Sequence, residues 1–229
     1  MTATRAEDEV ANRRLDAFVD AAFAFSVTLL LISGGAATSL DDLVAALGRL
    51  PAFLASFALI AMFWLSHRDY GRMARLRGPA ATLLSLAIVF VVLVYVFPLR
   101  LLTETAFHFM SGGRLPGQGL LGSFSDLRTL YVVYGAGFVV LAALYALLFA
   151  TVRGERAASP AHEVDAREWT GIYLVLMACG VLSILAALVG PLRHAPWLPG
   201  VVYGLIPLGQ RLVARYVRPR PTLAETPAE

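Results

Sequence analysis

The 229-residue sequence has no lysine, a single cysteine and few charges: only 15% of residues are charged, whereas 58% are apolar. An average soluble domain carries about 25% charged and 45–50% apolar residues. A soluble chain this long would have too few polar residues to clothe its surface, so lipid is its expected solvent. The one cysteine, Cys179, lies inside an apolar run. It excludes a disulfide framework within the chain and a thiolate metal site, and its expected role is a small buried packing residue. The formal net charge is only +3, and no basic stripe with interleaved aromatics lies outside the apolar segments, so nucleic acid is not an expected partner. His108, His162 and His194 fall in separate connections and are not expected to converge on a metal. His67-Arg68-Asp69 matches a kinase catalytic-loop triplet, but no glycine-rich nucleotide loop accompanies it. There is no Gly-x-Ser-x-Gly elbow, paired zinc-binding histidine motif or phosphate loop. Neither an enzyme nor a cofactor is expected. The acidic segment Met1–Val10 lacks the apolar core of a cleavable leader, so the first apolar segment is expected to be retained.

What the sequence does contain is long apolar runs. A helix needs about 20 mostly apolar residues to cross the hydrocarbon. Such segments fall at roughly 15–33, 50–66, 79–99, 128–152, 170–191 and 197–214, the last interrupted by Pro199 and Pro207. They predict an all-α integral membrane protein with six transmembrane helices. The organisation is an N-terminal segment (1–13), one six-helix membrane domain (14–217) and a disordered tail (218–229). Arginine sets the orientation. With the N-terminus inside, 14 arginines lie on the cytoplasmic side and 5 outside, which predicts a multi-pass protein with both termini cytoplasmic. Arg68, Arg72, Arg75 and Arg77 contribute most, and are read as a topology signal that also meets anionic headgroups. Leu101–Leu127 is expected as the longest external connector.

Charge within the first span is the exception. Asp16 and Asp20 sit at its inner edge beside Arg13 and Arg14, although an ionised group in lipid costs at least a few kcal/mol. At about 100° per residue, Arg13, Asp16 and Asp20 share one side of a helix, and Phe18, Ala22, Phe25, Leu29 and Ile32 share another.

At these residues the sequence resembles the transmembrane protein 175 family, bacterial six-helix type. The family pattern is Arg, three residues, Phe-Ser-Asp, then small and apolar residues leading to Thr-Leu-Leu. Here it runs Arg14-Leu15-Asp16-Ala17-Phe18-Val19-Asp20 and on to Thr28-Leu29-Leu30. Trp64 and His67 occupy the places of a Trp and a His three residues on in the second span. Phe124-Ser125-Asp126 repeats the tripeptide without the preceding Arg and is read as chance.

The resemblance implies a homotetrameric potassium channel with the first helices around a central pore. It places a hydrophobic constriction at Phe25 and a threonine ring at Thr28, with Leu29 and Ile32 also pore-lining. It implies a packing network of Arg14, Phe18, Asp20, Trp64 and His67. Two departures stand out. Val19 replaces the motif serine and removes a hydroxyl from that network. Phe25 stands where the family has isoleucine, which implies a tighter, dewetting-gated pore. No Thr-Val-Gly-Tyr-Gly filter is present, so carbonyl cages of that kind are not the expected means of selection. Two other function classes stay open: a proton-coupled secondary transporter using Asp20, and a nonconducting membrane scaffold.

Overall fold

Helix α1 spans Thr2–Ile32, so the charged stretch ahead of the first apolar segment is itself helical and no break falls near residue 13. The computed structural model describes residues 2–35, 38–117 and 123–218. After α1 come α2 (Leu40–Gly48), α3 (Leu50–Met73), α4 (Pro79–Met110), α5 (Phe124–Ala150), α6 (Pro160–Val189), α7 (Leu198–Val201) and α8 (Ile206–Val217). Among the described residues, five helices are long and apolar enough to cross a membrane, within Glu9–Ile32, Leu50–Met73, Pro79–Met110, Ser125–Ala150 and Pro160–Val189.

The sixth expected span, 197–214, is not one such helix. It divides into α7, a 3-10 turn over Val202–Leu205, and α8. Pro207 has no N–H to give the carbonyl of Tyr203, and the tighter 3-10 turn absorbs the loss. α8 nonetheless packs back along α6. Gly209 approaches Val175 so closely that a Cβ would stand 2.4 Å from its Cγ1. At the far end Arg218 pairs with Asp165 and, at 2.7 Å, with Glu168.

The connector expected over Leu101–Leu127 is shorter than its composition suggested, because α4 continues to Met110. Residues 118–122 of that connector, and the expected tail beyond 218, lie outside the described residues. The repeated tripeptide at Phe124 acquires a structural role. Ser123 and Asp126 form a reciprocal capping box, with Ser123 Oγ accepting from Asp126 N and Ser123 N donating to an Asp126 oxygen. These bonds satisfy helix-end donors and fix where α5 begins.

α5 packs along α6 and against α4, while α1 lies against α3 and α4. Aromatic stacking joins α3, α5 and α6: Tyr145 stacks on Tyr173 at 4.8 Å and on Phe63 at 5.5 Å, and Phe149 on Trp169 at 5.5 Å. The buried Tyr145 hydroxyl donates to the Phe63 carbonyl at 2.6 Å, which removes the cost of an unpaired polar group. Of the five long helices α1 is the least covered. Only 22% of its apolar window is buried inside the protomer, against 50% for α5.

The Tyr95 ring of α4 packs on the backbone of Gly137 in α5, where a Cβ would meet the ring at 2.4 Å. Gly137→Val is expected to destabilise the bundle by about 1–3 kcal/mol through overpacking. Gly204→Ala meets nothing within 4 Å and is expected to leave stability unchanged. Thermal unfolding of both variants in one detergent checks this.

Candidate functional site

α1 presents two faces with helical spacing. Val19, Phe23, Ser26 and Leu30 are buried against the neighbouring helices, whereas Phe18, Ala21, Phe25, Thr28 and Ile32 are exposed. Phe25 is 56% and Ile32 66% exposed, large apolar side chains with no cover within the protomer. The exposed arc is turned relative to the one expected from the sequence. Ala22 and Leu29, placed there by helical arithmetic, are half-buried and pack on the core. Ala17, Ala21 and Ala24 take their places at the surface, and small residues permit close helix–helix approach in a membrane. Thr28 Oγ1 donates to the Ala24 carbonyl at 3.2 Å, the usual partner of a hydroxyl in an apolar helix.

Polar contacts at three levels hold the opposite face. Arg77, just before α4, grips Asp16 with two guanidinium N–H donors at 2.6 and 3.1 Å. Its side chain is 3% exposed, and it lies over the Tyr70 ring at 5.5 Å. A turn further along α1, Trp64 Nε1 on α3 donates to Asp20 Oδ1 at 2.8 Å. Beyond the C-terminal end of α1, Arg100 Nη1 donates to Ser33 Oγ at 2.7 Å, while Arg100 Nε pairs with Glu104 at 2.7 Å. Arg100 and Glu104 are both buried in α4.

The expected network of Arg14, Phe18, Asp20, Trp64 and His67 is thus brought together only in part. Asp20 and Trp64 meet. His67 is buried and hydrogen-bonds Ser85 of α4 at 3.0 Å rather than reaching α1. Phe18 lies on the exposed face, and Arg14 is exposed with no ion pair among the described residues. Asp16 pairs instead with the buried Arg77, and Asp20 accepts from the indole N–H. Val19, at the motif serine place, is wholly buried in the apolar core. Arg77, Ser85, Arg100 and Glu104 were not singled out as site residues from the sequence. Only Arg100 and Glu104 carried a signal, opposite charges one turn apart at the end of a long apolar run. No group of three or more His, Cys, Asp or Glu side chains suited to a metal occurs among the described residues.

Asp16→Asn leaves the buried Arg77 without its counter-ion. It is expected to cost about 2–3 kcal/mol, below the full value for a buried pair because Asp16 is 39% exposed. Asp20→Asn keeps an acceptor for Trp64 and is expected to cost about 1 kcal/mol or less. Thermal midpoints of the two variants in the same detergent test that order.

Residues 14–98 match the family model described as the endosomal/lysosomal potassium channel TMEM175. A Marivirga tractuosa protein named "Potassium channel" is 30% identical over 141 residues, covering 59% of this chain. The chain spans 57% of the length of that relative. A crystal structure of the potassium channel MtTMEM175, in complex with a nanobody–MBP fusion protein, matches with a TM-score of 0.73 at 24% identity. That match covers 89% of this chain and 92% of the other, and shows a shared fold. The match to the TMEM175 family model thus runs from the first arginine of the motif in α1, through α3 and into α4.

Proposed function

We propose that this chain forms a potassium-permeable cation channel of a bacterial plasma membrane, a homotetramer with both termini cytoplasmic and α1 of each subunit around a central pore. The observation that carries the reading is the uncovered face of α1. Phe25, Thr28 and Ile32 point away from the protomer, while Asp16 and Asp20 of the same helix are bonded to Arg77 and to Trp64 of α3. A symmetric ring buries such a face and supplies a narrow axis. The similar potassium channels support potassium as the permeating ion.

In this reading four Phe25 rings make the tightest constriction, and conduction depends on wetting it. Thr28 hydroxyls one turn away offer oxygen to a partly dehydrated ion, and the small residues Ala17, Ala21 and Ala24 let neighbouring α1 helices approach. The helical run from Leu198 to Val217 serves as the sixth crossing, its proline interruption satisfied within the bundle. The arginine excess at the end holding Arg77 and Arg156 supports a cytoplasmic assignment for that end.

Flux from potassium-loaded liposomes tests the reading. Phe25→Ala is expected to raise flux several-fold, and unchanged flux counts against Phe25 as the constriction. Proton-coupled uptake of a solute, abolished by Asp20→Asn, would favour the carrier reading. Neither activity would leave the scaffold.

A further inference from the structure

Two short connections at the Arg-rich end are joined to each other by their backbones. The carbonyl of Arg156 accepts from Arg75 N at 2.8 Å and Leu76 N at 3.4 Å, and Ala158 N donates to the Met73 carbonyl at 2.9 Å. Ala74 and Ala157 form an isolated antiparallel bridge between these bonds. Gly154, at φ +54°, admits the turn that brings the α5–α6 connection back onto the α3–α4 connection. Between them lies a cavity of about 450 Å³ lined by Leu76, Arg77, Gly78, Arg153, Glu155 and Arg156.

The chemistry of that cavity favours an anion. α4, a 32-residue helix, starts at its wall with N-cap Gly78; Pro79 has no N–H and Ala81 N donates to the Gly78 carbonyl at 3.0 Å, which leaves the Ala80 N–H as the first-turn donor for a ligand. That donor and the dipole of a long helix favour an anion at this end. Arg77 is committed to Asp16 by two of its nitrogens, but its buried Nε has no partner. Arg153 and Arg156 are exposed and take no ion pair among the described residues, so two guanidinium groups are free for a ligand against the single carboxylate of Glu155.

We infer that this cavity binds the phosphate of an anionic phospholipid headgroup, held by Arg153, Arg156 and the N-terminus of α4. A lipid is favoured over a soluble phosphate by position. The cavity opens where α3 ends and α4 begins, at headgroup depth for membrane-crossing helices, and the 42% exposed Leu76 gives it an apolar lip. The inference rests on the membrane-spanning reading of the bundle and is independent of whether the protein conducts.

Native mass spectrometry of the purified protein, with phosphatidylglycerol, phosphatidylcholine or sodium phosphate added, tests it. Discrete phosphatidylglycerol adducts are expected on the unaltered protein in preference to phosphatidylcholine. They are expected to weaken about tenfold or more in R153Q/R156Q, where two arginines near a headgroup are lost. R114Q/R193Q, which removes the same charge at the opposite end, is expected to bind as the unaltered protein does. Gly78→Asp guards against a folding artefact: aspartate is a favoured N-cap, so the fold is expected to hold while its carboxylate repels the phosphate. Equal phosphatidylglycerol binding by R153Q/R156Q, or by Gly78→Asp, overturns the site. Binding of sodium phosphate in place of the lipid supports the anion chemistry and overturns the lipid as its source.

Discussion

The bidentate grip of Arg77 on Asp16 is the contact on which the placement of α1 depends. Lipid is as apolar as a leucine side chain, so a hydrophobic helix in a bilayer gains little by turning one oily face rather than another toward its neighbours. Polar groups break that symmetry, because an unpaired one in hydrocarbon is costly. Asp16, Asp20 and, just beyond α1, Ser33 each find a donor: Arg77 just before α4, Trp64 of α3 and Arg100 within α4. With those groups committed, Phe25, Thr28 and Ile32 are left outward. The free face of α1 is therefore a consequence of its polar anchors.

The remainder of the bundle is held by shape. The Tyr95 ring of α4 packs directly on the Gly137 backbone of α5, and Val175 of α6 does the same on Gly209 of α8. The aromatic column of Phe63, Tyr145, Tyr173, Phe149 and Trp169 fills the space that these helices enclose. Dispersion and close packing, which do not depend on expelling water, suit a protein whose outer solvent is lipid. α1 takes little part in this column and lies at its margin.

Arginine stands wherever a lysine could have, yet the structure uses it in different ways. Arg77 is buried against an aspartate of another helix, Arg100 joins its own helix to Ser33, and Arg218 ties the end of α8 to α6. Arg153 and Arg156 remain at the surface of a cavity. A count of arginines along the chain separates the two ends of the bundle, but treats these roles as equal. Arg77 shows the loss most clearly: in the sequence it is the last of four basic residues in a topology signal, and in the fold it is nearly inaccessible.

The sequence by itself determined that the chain is helical and membrane-embedded, where five of the long helices fall, and which helix carries unusual charge. Those properties follow from composition and from runs of about 20 apolar residues, which are local. It also made Asp20 and Trp64 legible as partners through the family resemblance at Arg14–Asp20, Trp64 and His67. Tertiary structure alone decided which acid meets which base. Asp16 took Arg77 from sixty-one residues away, leaving Arg14 exposed, and His67 turned to Ser85. It also rotated the free arc of α1 so that Leu29 is half-buried against the core and Ala21 and Ala24 join Phe25 at the surface. Such choices depend on distances between helices that are remote in sequence, and helical periodicity carries no information about them.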